Sequence, residues 1–118
     1  MTNREEGIRG EDMAIKTLKG KGYKIVERNH RNRLGEIDVI AEEGGSLVFV
    51  EVKKRNTTRF GEAICAVDER KKRHLVRAAL FYMKMHDCFD RSVRFDVIGI
   101  DNEQVKLVKN AFLVEDKG

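Results

Sequence analysis

The sequence predicts an α/β sandwich built on a mixed sheet, and three observations lead to this fold class. The predicted elements follow the order helix, three strands, helix, two strands, which is typical of helices packed on a sheet. Apolar residues make up 41% of the chain and charged residues 37%, a composition that indicates a charge-rich globular protein and argues against disorder of the whole chain. The length of 118 residues favours one domain, residues 1–118, with a modest core.

The first predicted element is a helix that starts near residues 3–7 and ends at the glycines of KGKG. Glycine is favoured just past the C-terminus of a helix, which places the end of the element there. Ile8, Ile15 and Leu18 form its apolar stripe, and Glu11 occupies the i+3 position of the same stripe. The helix is therefore expected to carry a carboxylate on its buried face.

Two hairpins and a second helix complete the predicted order. After a strand around Tyr23–Arg28, the run EIDVIAEEGGSLVFVEVKKR contains two strands around Gly44 and Gly45, and RFDVIGI and QVKLV form a second hairpin. The intervening helix is predicted from Asp68, a residue type favoured at N-caps, to Met85. Its predicted apolar stripe consists of Leu75, Ala78, Ala79, Tyr82 and Met83.

The register of the first hairpin brings two carboxylates together. With the glycine pair as its turn, the antiparallel ladder places Asp38 opposite Glu51. Side chains two residues apart share a face, so the acidic pair is expected beside Ile40 and Phe49, where it is partly covered from water. The same register places Glu36 opposite Lys53, and one face then carries Glu36, Asp38, Glu51, Lys53 and Arg55.

Two carboxylates that face each other across a ladder destabilise a sheet, and a bound cation removes the repulsion. Hard divalent ions such as Mg²⁺ are commonly held by one or two carboxylates together with substrate phosphates. Asp38 and Glu51 are therefore a candidate metal site, with Glu11 as a third acid. The alternative is that Glu51 and Lys53 form an ordinary ion pair on a solvent-facing strand.

Five segments of the chain carry a resemblance to a known family. Residues 35–55, GEIDVIAEEGGSLVFVEVKKR, resemble the PD-(D/E)XK nuclease motif, in which one strand supplies an aspartate and the next supplies E-x-K, although Ile37 stands where the motif has proline. The set GEDMAIKTL, RNHRNRLGEIDVIA, FVEVKKR, RFGEA and RFDVI is similar to the YraN family, described as Holliday-junction-resolvase-like. The resemblance extends from about Gly7 to Val114. It implies a restriction-endonuclease-like, three-layer α/β/α core around a mixed five-stranded sheet.

The resemblance also implies roles for individual residues. It implies a Mg²⁺- or Mn²⁺-dependent nuclease whose metal ligands are Asp38, Glu51 and the carbonyl of Val52. Lys53 falls on the position of the lysine that stabilises developing charge or orients the attacking water. Glu11 falls on the acid of the first helix. Three roles for it stay open: binding the ion through water, binding a second ion, or hydrogen bonding to Lys53.

Basic residues near the predicted site indicate a nucleic-acid partner. Arg70, Arg73 and Arg77 form one stripe of the second helix, which either follows phosphates or is simply solvated. Lys71 lies at the edge of the apolar face, where it is placed to reach toward the acids. Further candidates for phosphate contact are Arg33, Arg55 and Arg59. Neither a base-reading helix nor an aromatic stacking platform is predicted, so we expect recognition of backbone or shape.

These observations lead to one functional prediction and one alternative. We expect a cytoplasmic, metal-dependent endonuclease acting on DNA, with branched or single-stranded DNA as substrate; the alternative is a nucleic-acid-binding or assembly module that keeps the fold without turnover. The net charge of +4 suits a polyanion. The charged N-terminal segment and the lack of an apolar run of about 20 residues argue against export and against a membrane partner. A four-way junction has two cleavage positions, so a homodimer is left open.

Overall fold

A computed structural model describes residues 3–55, 69–101 and 104–111 of the protein. Within these ranges two helices and five strands follow the predicted order. The elements are α1 Asn3–Gly20, β1 Lys24–Asn32, β2 Gly35–Glu43, β3 Ser46–Arg55, α2 Glu69–Met85, β4 Val93–Asp101 and β5 Gln104–Val108. The predicted α/β class is thereby confirmed.

The five strands form one mixed sheet in the order β1-β2-β3-β4-β5. Strands β3 and β4 are parallel, whereas the other neighbouring pairs are antiparallel. Parallel neighbours need a crossover connection, and α2 lies between β3 and β4 in the chain. The mixed sheet predicted from the element order is confirmed.

The core is divided between the two faces of the sheet. On one face, Ala14, Ile15 and Leu18 of α1 pack with alternating strand residues such as Val48 and Val50. On the other face the side chains of α2 pack with the intervening strand residues, among them Leu47 and Phe49. Because β3 is apolar on both faces, its four residues 47–50 are all buried, as expected for a central strand covered by helices on both sides.

Helix α1 ends where the glycines predicted. The amide of Lys21 donates to the carbonyls of Thr17 and Leu18, and the amide of Tyr23 donates back to Leu18. Gly22 has a φ of 90°, a left-handed conformation that glycine adopts without steric cost. This turn directs the chain from α1 into β1 with the Tyr23 side chain in the core.

Helix α2 buries the predicted apolar stripe. All five of its predicted core positions are buried, namely Leu75, Ala78, Ala79, Tyr82 and Met83. Asp68, the predicted N-cap, lies outside the described residues. At Gly35 the hairpin of β1 and β2 closely approaches α2, since a Cβ there would lie 3.3 Å from the His74 carbonyl oxygen. Neither helix in the described part of the chain is long and apolar enough to cross a membrane.

The sequence predicted the hairpin of β2 and β3 correctly and the extent of β1 less well. Gly44 and Gly45 have φ values of 59° and 82°, as a type I′ turn requires, and the predicted register is confirmed from Glu43–Ser46 through Val39–Val50. The prediction for β1 was too short. The strand continues beyond Arg28 to Asn32 because the polar residues that follow Arg28 pair with β2.

Candidate active site

The candidate site lies where β2 and β3 part. Their ladder runs from the turn to the Val39–Val50 pair, after which β2 continues along β1 and β3 continues along β4. At this fork the Val52 amide donates a hydrogen bond of 2.8 Å to Oδ2 of Asp38. The carboxylate therefore takes the place that a backbone carbonyl of a paired strand would occupy.

Asp38 also marks a change of face in β2. Val39 packs in the cluster under α1, whereas Ile37, two residues away, packs in the cluster under α2. A regular strand would put both on one face. The predicted placement of Glu36 opposite Lys53 is wrong, because the β2–β3 ladder ends at the Val39–Val50 pair. Glu36 pairs with Arg31 of β1, and the two side chains form an exposed ion pair of 3.1 Å.

Asp38 and Glu51 form a coupled carboxyl pair. Both side chains are partly buried, and their carboxyl groups share a hydrogen bond. Burial, followed by the charge of Asp38, raises the pKa of Glu51 to about 7. Burial likewise raises the pKa of Asp38, and the Val52 amide opposes this by stabilising its ionised form. Because both pKa values are raised, the pair resists ionisation of both carboxyl groups together.

Two lysines supply positive charge to the pair. The charge of Lys53, two residues along β3, lowers the pKa of Glu51, and so does the charge of Lys71 from the first turns of α2. Neither outweighs the effects of burial and of Asp38 on the Glu51 carboxyl. At Glu51 the effects that raise the pKa thus outweigh those of the two lysines.

Glu11 approaches the fork from α1. Its partly buried carboxylate accepts a hydrogen bond of 3.2 Å from Nδ2 of Asn29 in β1, and its charge contributes to the raised pKa of Asp38. The absence of a side chain at Gly10 leaves room for the stem of Lys54 against the helix. The structure thus brings Glu11, Asp38, Glu51 and Lys53 into one neighbourhood built from three elements.

The oxygen donors of the site fit a hard divalent cation. Asp38 and Glu51 supply carboxylates, and the backbone of Val52 faces Asp38 with its amide. The carbonyl of a strand residue points to the same side as its amide, so the Val52 carbonyl faces the fork as well. Within the described ranges, no group of three or more Asp, Glu, His or Cys residues forms a ready ligand cluster. Two carboxylates and a carbonyl leave the remaining positions to water or phosphate oxygens, as Mg²⁺ prefers.

The predicted basic residues fall into two sets. Arg70, Arg73 and Arg77 are exposed on α2, and Arg33 is exposed in the turn between β1 and β2. That turn leads into Gly35, which lies against α2 at His74. The side chain of Arg55 and the whole of Arg59 lie outside the described residues.

One residue of the site was not predicted. Asn29 has a φ of 52° within β1 and donates to Glu11. An asparagine inside a polar strand could have indicated this residue, because asparagine adopts left-handed backbone more readily than most residues.

The chain matches the family model described as "Uncharacterised protein family UPF0102" over residues 10–100. A UPF0102 protein of Persephonella marina is 43% identical over 107 residues, which is 91% of this chain and 92% of the relative. A UPF0102 protein of Caldicellulosiruptor saccharolyticus is 42% identical over 118 aligned residues, covering 95% of this chain and all of the relative. The five sequence segments that resemble the YraN family and this agreement lead to one conclusion: the chain belongs to the UPF0102 family, the YraN family that its sequence resembles.

Proposed function

We propose that the protein is a Mg²⁺- or Mn²⁺-dependent endonuclease that hydrolyses phosphodiester bonds in DNA, with branched or single-stranded DNA as its substrate. The observation that carries this proposal is the pair of partly buried carboxyl groups, Asp38 and Glu51, that share a hydrogen bond at a fork between strands. A pair of this kind costs stability, and a cation bound between the two carboxylates offsets that cost.

The surrounding architecture supports the same proposal. An acid from β2, an E-x-K run on β3 and an acid from α1 come together at the fork between β2 and β3, in a sheet covered by helices on both faces. This is the arrangement that the resemblance to PD-(D/E)XK nucleases implies. We therefore propose that the fold is a restriction-endonuclease-like core.

Each residue has a chemical task in the proposed reaction. Asp38, Glu51 and the Val52 carbonyl would hold the ion, which supplies a lowered water pKa and neutralises charge on the phosphate. Glu51 first gives up the proton that it holds near neutral pH. The ammonium group of Lys53 stabilises the negative charge that develops on the phosphoryl oxygens or orients the attacking water. Lys71 supplies a second positive charge beside the same carboxylate.

The basic residues of α2 and of the β1–β2 turn supply the proposed contact with DNA. Arg70, Arg73 and Arg77 follow one another along the exposed side of α2, and Lys71 on the same helix acts on Glu51. A backbone bound along this helix would thus pass the acidic site. Contacts of this type bind phosphates without reading bases, which agrees with recognition of DNA shape.

A cleavage assay with matched variants tests the proposal. Linear, flapped and four-way DNA substrates are incubated with Mn²⁺ or Mg²⁺ and wild type, Glu51→Gln, Lys53→Gln or Glu36→Gln. Because Glu36 is an exposed acid on the neighbouring part of β2, Glu36→Gln is the control for a loss of negative charge. We expect cleavage by wild type and Glu36→Gln, and a loss of about a hundredfold or more in Glu51→Gln.

Two outcomes would reject the enzyme. Equal trace products from wild type and Glu51→Gln would assign the cleavage to a contaminant. Metal-independent binding of all substrates without products would favour the alternative, a nucleic-acid-binding or assembly module. A mass measurement in solution, with and without a four-way junction, tests the homodimer that resolution of a junction would require.

A further inference from the structure

Asn29 occupies the position in β1 where the strand changes face. Arg28 and His30, its two neighbours, pair with Val39 and Ile37 of β2, so Asn29 stands across from Asp38. Arg28 forms an ion pair with Asp12 of α1, whereas the His30 ring packs edge-on against Tyr82 of α2. The side chains that flank Asn29 therefore lead to opposite helices.

The backbone of Asn29 accounts for this reversal. Its φ of 52° lies in the left-handed region, which interrupts the alternation of a strand and lets consecutive segments present different faces. In β2 the same reversal occurs across Asp38, between Ile37 and Val39. The register of the β1–β2 ladder is the same on both sides of this point, so the left-handed Asn29 and Asp38 lie across from each other where both strands change face.

The side chain of Asn29 reaches the other acid of the site. Its Nδ2 donates to Oε2 of Glu11 at 3.2 Å. A hydrogen bond to an ionised acceptor is stronger than one between neutral groups, and it restricts the rotamers of a glutamate that would otherwise be free to turn into solvent. The charge of Glu11 then stays close enough to Asp38 to be felt there.

We propose that Asn29 is a positioning residue of the acidic site: its left-handed backbone sets Asp38 at the strand fork, and its side-chain amide holds Glu11 beside Asp38. The inference rests on the proposed function in that the site is taken to bind a divalent cation. Neither effect requires Asn29 to touch the ion or the substrate. Asn29 acts through Glu11 and Asp38.

Substitutions can separate the two effects. Asn29→Gly keeps the left-handed conformation and removes the amide, whereas Asn29→Ala removes the amide and strains the backbone. Asp87→Ala is the control for strain alone, because Asp87 is exposed, has a φ of 49° and follows α2. Glu11→Gln removes the charged acceptor, and Asp12→Asn is its control one residue along α1.

The decisive experiment is a double-mutant cycle in Mn²⁺ affinity, measured by calorimetry on the full chain. We expect Asn29→Gly to weaken Mn²⁺ binding about tenfold, as loss of an outer partner of a metal ligand does. In the Glu11→Gln background the same change should have an effect of less than about twofold. Asn29→Ala should weaken binding further than Asn29→Gly, while Asp87→Ala lowers the melting temperature and leaves Mn²⁺ affinity unchanged.

A second readout needs neither metal nor turnover. In ¹⁵N-resolved NMR spectra, the side-chain amide signals of Asn29 should move in Glu11→Gln and stay in place in Asp12→Asn. The inference would be overturned if Asn29→Gly bound Mn²⁺ as tightly as wild type, or if the effects of Asn29→Gly and Glu11→Gln were independent. It would also be overturned if the Asn29 side-chain amide signals did not shift in Glu11→Gln. A positive cycle in a protein that cleaves no DNA would reject the proposed function alone.

Discussion

A fully buried acid, Asp96, and a partly buried acidic pair, Asp38 and Glu51, lie in neighbouring parts of this sheet and have opposite surroundings. Asp96 of β4 pairs in register with Val50 of β3 and is fully buried. Its carboxylate accepts two hydrogen bonds from the Arg94 guanidinium. It also accepts one from the Tyr23 hydroxyl, at 2.6 Å, and one from the backbone amide of Asn110. Every oxygen of Asp96 thus has a positive or hydrogen-bonded partner.

The fork region offers its acids much less. Within the part of the chain that the structure describes, Asp38 accepts a backbone hydrogen bond from Val52 and faces a second carboxyl group, Glu51, with Glu11 and Glu36 contributing further negative charge. The consequence is visible in the pKa of Glu51, which burial and Asp38 raise to about 7. At Asp96 the partners belong to the fold and stabilise it. At the fork, burial and the second carboxyl group outweigh the charges of Lys53 and Lys71 on Glu51, which supports the proposal that the pair binds a cation.

The largest effect is expected from the replacement of Asp96, the acid whose oxygens all have partners. Asp96→Ala leaves the Arg94 guanidinium and the Tyr23 hydroxyl without their buried acceptor. Breaking a buried ion pair from one side costs about 3 to 5 kcal/mol, so the free energy of unfolding in urea should fall by that amount. Asp12→Ala, which removes an exposed ion pair with Arg28, should cost less than about 1 kcal/mol. A small effect of Asp96→Ala would remove the contrast.

Glu51→Gln should raise the free energy of unfolding, whereas Asp96→Ala should lower it. The folded state raises the pKa of Glu51 from 4.5 to about 7. Between these pH values the folded protein therefore binds a proton that the unfolded chain does not. Stability contributed by that proton is present below pH 4.5 and is lost as the pH rises through about 7. Glutamine keeps the shape and cannot ionise, so at pH 8 without metal the variant should be more stable than wild type by about 1 to 3 kcal/mol.

Urea denaturation at pH 5 and pH 8 measures this difference. As the pH rises from 5 to 8, the free energy of unfolding of wild type should fall relative to that of Glu51→Gln. Glu36→Gln, in which an exposed acid is changed, should show the same pH dependence as wild type. A Glu51→Gln variant that is less stable than wild type at pH 8 would show that Glu51 is held by a favourable ion pair. That result would return the site to the ordinary surface pair considered from the sequence.

The smallest expected effect concerns the basic side of α2. Replacing Arg70, Arg73 and Arg77 by glutamine should weaken DNA binding and lower the slope of log affinity against log salt by about 0.7 to 0.9 per lost phosphate contact. The exposed Lys84, in the last turn of the same helix, is the control, and Lys84→Gln should change the slope less than any one of the arginines. Equal slopes for all variants would make the stripe a solvated surface.

Local chemistry explains which parts of the fold the sequence predicted. The glycine turn fixed the register of β2 and β3, because Gly44 and Gly45 adopt the positive φ values that only a few residue types tolerate. The spacing of apolar residues predicted the buried face of α2 for the same kind of reason: a helical period is legible over 17 residues. Both signals lie within one continuous segment of chain.

The parts that were missed depend on contacts between segments. The polar half of β1 has no alternation to reveal a strand, and it is ordered by pairing with β2. The reversal at Asn29 and Asp38 depends on two helices that cover opposite faces, so strict alternation placed Glu36 on the wrong face. The acids of the fork were predicted as a group because their spacing is set by the hairpin. The hydrogen bonds that they accept from Val52 and Asn29 were not, since these arise where the β2–β3 ladder ends and where β1 changes face.

Titration of Mn²⁺ into the metal-free protein at pH 7.5, followed by calorimetry, tests the central claim most directly. Wild type and Glu36→Gln should bind, with a heat that changes with the ionisation enthalpy of the buffer because Glu51 releases its proton. Glu51→Gln should show no such binding heat. Equal binding by wild type and Glu51→Gln, or no binding by wild type, would contradict the assignment of Asp38 and Glu51 as a cation site.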